Sequence, residues 1–315
     1  MSYPLCSIEK AGILTSIQDL GRFGYQHYGV PISGAMDKVA LQIGNGLVGN
    51  DLGAACLEVT MGGTTLKASH DHLVAITGAD LDAKLNGKKA PLWSTFIWRK
   101  GTTLTFKGPV EGIRAYIAVQ GGIDSESILG SQSVYERGQM GRHIQSGDQL
   151  YSYSNQVDRK RIGLSHDKRP SYDKEVDVRL VGSQHQSYIK KESIEAFFNS
   201  SYTVSTGDRM GIQLDGEAMT FEDTGDIISE AVTFGTVQVP SSGMPVILMA
   251  DSQTTGGYVT IGNIVRADLW KIAQLPPGGK INFHKISHEE ARKLSKNLHS
   301  FLSSLQKEAK YIPSK

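Results

Sequence analysis

The chain has 315 residues, and its 33 lysines and arginines against 32 aspartates and glutamates give a formal net charge of +1. This balance argues against a nucleic-acid or membrane-surface protein, because both classes carry a marked basic excess. Two cysteines without a Cys-x-x-Cys pair argue against a disulfide framework or a cysteine zinc site. Since no signal peptide opens the chain and no apolar run is long enough to cross a membrane, we expect a cytoplasmic protein.

The first half of the chain is predicted to be mainly β. Short apolar runs separated by turn signals predict closely spaced strands, as in a barrel or a sandwich. These runs lie at residues 6–8, 13–17, 57–61, 73–77, 95–98, 103–106 and 114–119. Asn86-Gly87 is a strong hairpin signal. A helical period that begins at Met36 predicts one helix, with Ser33 as its N-cap and Gly49 at its end.

Residues 156–172 are charged, contain Pro170 and lack periodicity, so we expect a solvated linker. It would separate an N-terminal domain at 1–155 from a C-terminal domain at 173–290. Strands are predicted in the second half near residues 176–181, 226–239, 245–250, 258–265 and 280–284, with a helical patch at 188–198. The capping box from Ser287 to Glu290 predicts a last helix, which with the tail covers 291–315.

The most polar segment of the second half is residues 251–258, which follow a strand-like apolar run. This segment combines a carboxylate, an amide, hydroxyls, a glycine pair and a tyrosine. Such groups at a strand end suit an anion or a polar small molecule, because glycine lets the backbone approach a ligand closely. The alternative is a tight turn whose side chains cap their own backbone.

Two features of the first half recur in the second half. An Arg-Gly turn at Arg22 is echoed at Arg209, and a glutamate before a strand, Glu58, is echoed at Glu230. The echo predicts two related, barrel-like domains. Asp19 and Arg22, three residues apart, can pair with each other to pin a turn or can meet a polar ligand together.

Several common motifs are missing from the sequence. We find no phosphate loop, no Gly-x-Gly-x-x-Gly dinucleotide fingerprint and no Met-Lys-Met biotin attachment site. A nucleotide would therefore be bound through another kind of site, or by a partner.

Several motifs together resemble one family, the allophanate hydrolase subunit 2 family, also called the biotin-dependent carboxyltransferase, KipA or 5-oxoprolinase C-subunit family. These motifs are Ser16-Ile17-Gln18-Asp19-Leu20-Gly21-Arg22-Phe23-Gly24, Pro31-Ile32-Ser33-Gly34-Ala35-Met36-Asp37, Asn45-Gly46-Leu47-Val48-Gly49-Asn50, Leu57-Glu58-Val59-Thr60, Asp208-Arg209-Met210-Gly211, Gly235-Thr236-Val237-Gln238-Val239-Pro240 and residues 251–258. They occur in the family's order over about residues 8–290.

The resemblance implies a mainly β fold with two tandem cyclophilin-like β-barrel domains and a few helices. It implies the C subunit of a bacterial ATP-dependent 5-oxoprolinase, inactive without its partners, which are a KipI-type B subunit and a 5-oxoprolinase A subunit. ATP with Mg is then needed at the level of the complex, and this chain carries no covalently attached biotin. Two alternatives stay open: a carboxyltransferase-like subunit of a urea carboxylase system, and a KipA-type module that binds a kinase inhibitor.

Each enzyme activity that the resemblance implies uses an amide-like substrate, whose activation develops an oxyanion. Arg22 and Arg209 are the predicted oxyanion stabilisers, positioned by Asp19 and Asp208, and Asp251 or Glu230 is the predicted base or a metal contact. No metal site of this chain is predicted. The predicted substrate-binding residues are Asp19, Asp37, Asn45, Glu58, Gln238, Gln253, Thr254, Thr255, Gly256, Gly257 and Tyr258.

Overall fold

A computed structural model describes residues 2–157, 161–223 and 226–311. The chain divides into two compact units, and neither of them is continuous in sequence. Unit 1 consists of Met1–Arg22, Asp37–Tyr172 and Ser300–Lys315, and unit 2 consists of Phe23–Met36 and Asp173–His299.

Unit 1 is built from short antiparallel strands in two sheets. The strands are β1 (Tyr3–Ala11), β2 (Leu14–Gln18), β3 (Cys56–Thr60), β4 (Thr64–Ala68), β5 (His72–Asp80), β6 (Ala83–Leu85), β7 (Lys88–Lys89), β8 (Thr95–Trp98), β9 (Thr103–Phe106), β10 (Glu111–Val119), β11 (Ile123–Asp124) and β12 (Gln149–Ser152). One sheet has the order β11-β12-β1-β4-β9-β6-β7, and the other has the order β2-β3-β10-β5-β8. As predicted, Asn86 and Gly87 form the turn between β6 and β7, both with positive φ.

The helix α1 (Lys38–Val48) packs against β5 and β10 of the second sheet. Its N-cap is Asp37, whose side chain accepts a hydrogen bond from the Ala40 amide at 2.9 Å, so the prediction that Ser33 caps this helix is wrong. Ser33 instead has a φ of 56° and lies in unit 2. Gly49 ends α1 in the left-handed region, as predicted.

The segment 156–172 contributes to unit 1 in the part that the structure describes, which leaves out residues 158–160. The Thr95 amide donates to the Ile162 carbonyl at 2.7 Å. Leu164 and Tyr172 are buried. These contacts are made by the backbone and by Leu164 and Tyr172. The charged residues of the segment therefore did not predict them.

Unit 2 is built on one sheet that closes on itself. Its strands are β13 (Glu175–Gly182), β14 (Ser201–Gly207), β15 (Gly211–Asp215), β16 (Asp226–Ala231), β17 (Thr236–Val239), β18 (Val246–Leu248), β19 (Thr255–Ile264) and β20 (Lys280–Ile286). Their order is β13-β20-β14-β15-β18-β17-β19-β16, and β13 also pairs with β19. This extra pairing closes a ring of strands and leaves β16 outside it, attached to β19.

The helices of the second half are α2 (Lys191–Asn199), α3 (Leu269–Ala273) and α4 (His288–Tyr311). The predicted capping box starts α4: Ser287 Oγ accepts from the Glu290 amide at 3.2 Å, and Glu290 Oε2 accepts from the Ser287 amide at 2.8 Å. The predicted mainly β class is confirmed. Among the described residues, no helix is both long and apolar enough to span a membrane.

Candidate functional site

The predicted site residues near the start of unit 1 hold a loop in place. Asp19 accepts hydrogen bonds from the Gly21 amide, from Ser131 Oγ and from the Gln132 amide, each at 2.7 Å. Arg22 is 1% exposed and donates to the Ser133 carbonyl. Both side chains therefore join the turn at residues 19–22 to the loop at 131–133.

Asp37 and Glu58 lie in a fully buried polar network of unit 1. The Tyr116 hydroxyl donates to Glu58 Oε2 at 2.8 Å and accepts from the Asp37 amide at 2.8 Å. Tyr172 donates to Asp37 Oδ2 at 3.1 Å. Burial, and then the charges of Glu58 and Asp37, raise the pKa of Tyr116, so its hydroxyl keeps its proton and can donate.

Asn45 on α1 is also fully buried, and its side chain bonds to residues that follow the end of the helix. Its Nδ2 donates to the Ala54 carbonyl at 2.7 Å, and its Oδ1 accepts from Asn50 Nδ2 at 3.0 Å. In unit 1 the predicted polar residues thus form internal bonds that fix local structure.

In unit 2, Arg209 and Asp251 form a buried, bidentate ion pair. Arg209 Nε lies 2.8 Å from Asp251 Oδ2, and Arg209 Nη2 lies 3.0 Å from Asp251 Oδ1. Arg209 Nη2 also donates to the Gly34 carbonyl at 2.6 Å. Asp208 Oδ1 accepts from the amides of Met210 and Gly211, so it caps its own turn. The pair ties the start of the 251–258 segment to the turn before β15.

Among the described residues of unit 2, two buried side-chain groups lack a hydrogen-bond partner, Ser33 Oγ and the Gln238 amide nitrogen. Gln238 is 2% exposed, and its Nε2 has no hydrogen-bond partner among the described residues. A Cβ placed on Gly256 would lie 2.4 Å from this nitrogen, so only a glycine at 256 leaves the amide its position. Gln253 is exposed, and its Nε2 lies 3.5 Å from Gln238 Oε1.

Glu230 lies on β16 directly opposite Gly256 on β19, so both Glu230 and the Gln238 amide are neighbours of Gly256. Its side chain is 40% exposed, and its Oε1 is 3.4 Å from His185 Nε2. Thr254 and Gly257 are half-buried, while Thr255 and Tyr258 are exposed. Of the predicted residues, Glu230, Gln238, Gln253 and Gly256 therefore come together in one place.

Sequence reasoning missed His185. It is an isolated histidine in a short 3₁₀ turn (Gln184–Tyr188), and nothing local links it to residue 230. The pairing of β13 with β19, in which Gly182 is opposite Gly262, brings this turn to the sheet. A signal for His185 would have required the strand pairing itself.

The arrangement offers a donor, a carboxylate and a histidine around one glycine. An unpartnered buried donor costs about 1–3 kcal/mol, which a ligand oxygen would recover. A half-exposed carboxylate close to it can accept a proton from a substrate or from water. No group of three or more metal-binding side chains occurs within the described residues.

Comparison with known proteins identifies the class of protein. The family model of the carboxyltransferase domain, subdomain A and B, matches residues 28–285, and the chain belongs to this family. It is similar to the 5-oxoprolinase C subunit of Haemophilus influenzae, with 36% identity over 93% of this chain and 94% of that protein. It is also similar to the 5-oxoprolinase C subunit of Escherichia coli, with 34% identity over 96% of this chain and 97% of that protein.

A solved structure also resembles this chain. The K. lactis urea amidolyase matches with a TM-score of 0.90 and 27% identity, over 96% of this chain and 20% of the amidolyase chain. The chain thus spans about one fifth of that much longer protein.

Proposed function

We propose that this chain is the C subunit of an ATP-dependent 5-oxoprolinase, acting with a KipI-type B subunit and a 5-oxoprolinase A subunit. The two relatives named as 5-oxoprolinase C subunits support this, because the similarity extends over nearly their whole length. The reaction opens a lactam to an amino acid, at the expense of ATP hydrolysis. The chain's part is to hold the lactam and to handle its protons.

The observation that carries the proposal is the Gln238 amide, whose buried nitrogen has no partner among the described residues. A lactam carbonyl is an acceptor that this donor fits, and the oxyanion that develops on attack accepts more strongly. The absence of a side chain at Gly256 leaves the Gln238 nitrogen its position. In this proposal Gln238, and not Arg209, stabilises the oxyanion, because Asp251 and the Gly34 carbonyl already engage the Arg209 guanidinium.

Glu230 is the base in this mechanism. Its partly exposed carboxylate takes a proton from the attacking water as the new C–O bond forms, and the same proton goes to the ring nitrogen when the C–N bond breaks. Asp251 is held in the ion pair with Arg209, so we assign both residues to positioning the 251–258 segment. Asp19, Arg22, Asp37, Asn45 and Glu58 are assigned to the structure of unit 1.

In this proposal ATP with Mg is needed at the level of the complex. The sequence has no phosphate loop, and the N-termini of α1 and α4 are closed by the carboxylates of Asp37 and Glu290. We therefore assign ATP binding to a partner protein and route no step of this chain through it. Attached biotin is likewise not part of the proposal.

The test is reconstitution of the complex. The chain purified with its partners should convert 5-oxoproline and ATP to glutamate and ADP, and the chain alone should not. Gln238→Leu should lower the turnover about 100-fold, which is the usual cost of losing one oxyanion donor. Gln213→Leu, an exposed glutamine of β15, is the matched control and should keep full turnover. Equal rates for the two variants would contradict the site.

A second candidate is carboxyl transfer to an amide substrate such as urea. The match to the carboxyltransferase family model and to the urea amidolyase favours it. Urea-dependent turnover with a biotinylated partner, and none with 5-oxoproline, would establish it. If the chain is instead a KipA-type binding module, the Glu230→Gln variant should assemble normally and leave the activity unchanged.

A further inference from the structure

We propose that His185 shares a proton with Glu230 and so acts as a positioning residue for proton transfer in unit 2. The inference rests on the proposed function for its catalytic consequence, but its proton arrangement stands on the geometry alone. The hydrogen bonds that link His185 to β19 determine this arrangement.

The chain of hydroxyls fixes which nitrogen of His185 carries a proton. Ser183 Oγ donates its only proton to the Thr260 carbonyl at 2.6 Å. Thr260 Oγ1 has one proton to donate, and His185 Nδ1 at 3.0 Å is nearer to it than Ser183 Oγ at 3.1 Å. His185 Nδ1 therefore accepts from Thr260 Oγ1.

A second contact agrees with this direction. The Thr260 amide also donates to His185 Nδ1, at 3.4 Å. Because Nδ1 accepts, the ring carries its proton on Nε2.

The other ring nitrogen then faces a carboxylate. His185 Nε2 lies 3.4 Å from Glu230 Oε1. Two lone pairs at this distance repel each other, so a proton belongs between the two groups, on the ring or on the carboxylate. His185 is 6% exposed and the Glu230 side chain 40%, so the proton can reach a ligand only through Glu230.

The surroundings leave this pair as the proton-bearing group. The edge of the Tyr188 ring faces His185 at 5.9 Å, and Glu230 on β16 is its charged neighbour. Lys285 on β20 bonds to Gln186 Oε1 of the same turn, at 3.1 Å. The Nε2 proton thus holds the Glu230 carboxylate in place, while Glu230 itself takes a proton from water and gives it to the leaving nitrogen.

Two measurements test the proposal. Long-range ¹H–¹⁵N correlation spectra of the isolated chain should show His185 with its proton at Nε2 and none at Nδ1. Comparison with His185→Gln assigns its signals among the nine histidines. In Glu230→Gln the Nε2 proton signal should shift, because the carboxylate that accepts this proton is gone. A proton at Nδ1, or an Nε2 without any proton in the wild type, would overturn the proposal.

The second measurement is the pH dependence of turnover by the reconstituted complex. His185→Gln should lower kcat about 10- to 100-fold, leave KM for the lactam nearly unchanged and move the acidic limb to higher pH. His284→Gln, an exposed histidine of β20, is the matched control. Wild-type kcat and pH profile in His185→Gln would refute the role of His185 but leave the proposed function standing. An inactive wild-type complex would refute the proposed function, and the spectra would still decide the proton arrangement.

Discussion

Gly256 shows how much of the site depends on the absence of one side chain. Its φ is not in the left-handed region, so an alanine there would strain no backbone. The added Cβ would instead lie 2.4 Å from Gln238 Nε2, the end of a flexible side chain that can move away. The backbone should tolerate the change, while the amide loses its place.

We therefore expect Gly256→Ala to lower turnover of the reconstituted complex at least about tenfold, which corresponds to about 1.4 kcal/mol in the barrier. The melting temperature should change by no more than about 2 °C. Gly108→Ala, where the nearest atom is the Met61 carbonyl oxygen at 3.9 Å, is the control. A large loss of stability without a specific loss of turnover would show that Gly256 is needed for packing only.

The ion pair of Arg209 and Asp251 should matter for stability more than for chemistry. Their side chains are 11% and 9% exposed, so removing one partner leaves a buried, uncompensated charge. We expect Asp251→Leu to destabilise unit 2 by about 3–5 kcal/mol in urea unfolding. The double variant Arg209→Met with Asp251→Leu should recover much of that loss; a double variant as unstable as the single one would argue against the pair as the cause.

At the scale of single residues, the local sequence pattern predicted the polar 251–258 segment but not the role of each polar residue. Asp251 reads in the sequence as a strand-end carboxylate, and the structure places it in an ion pair with Arg209. Glu230 reads as a strand carboxylate, and the structure places it beside Gly256. Both outcomes depend on which strands pair, and no property of the single residue reports that.

At the scale of elements, the patterns that the sequence predicted well are the ones with local causes. The capping box of α4 and the Asn-Gly hairpin are short-range hydrogen-bond patterns, and both occur. The N-cap of α1 was misplaced at Ser33, because Asp37 is held in position by a hydrogen bond from its amide to the hydroxyl of Tyr116, a residue of a distant strand.

Asp268, just before α3, joins that helix to β13. Its carboxylate accepts from the Arg179 amide at 2.9 Å and from Arg179 Nη2 at 2.6 Å. Burial alone would raise the pKa of Asp268, but the hydrogen bonds from Arg179 outweigh it and hold the pKa below the ordinary value. A lowered pKa means stability that is present above the unfolded value and is lost as the pH falls through the folded value.

We expect Asp268→Asn to cost about 2 kcal/mol at pH 7, less than a fully buried pair would, because the Arg179 side chain is 35% exposed. Wild type and variant should converge in unfolding free energy as the pH falls from about 5. Urea titrations at several pH values measure this difference. A gap between the two proteins that stays constant down to acid pH would contradict the role of the Asp268 charge.

At the scale of the whole molecule, each unit is assembled from segments that are not adjacent in the sequence. A domain prediction in chain order does not detect this division. Residues 23–36 belong to unit 2 although they precede most of unit 1. The segment is rich in glycine and lacks periodicity, so it carries no local signal of the core that it joins. Met36, 1% exposed, lies in the core cluster of unit 2 with Val237, Ile247 and Met249.

The segment 23–36 should therefore be required for unit 2 to fold. Without it, a fragment of residues 173–299 loses Met36 from its core, the Gly34 carbonyl from Arg209 and the 3.0 Å bond from the Ser33 amide to the Ala250 carbonyl. We expect this fragment to melt without a cooperative transition, and an added peptide of residues 23–36 to restore one. In the intact chain, Met36→Ala should cost about 2–5 kcal/mol, and Met244→Ala, at a half-buried site, should cost less. A fragment that unfolds cooperatively at the same temperature with and without the peptide would show that unit 2 does not need the segment.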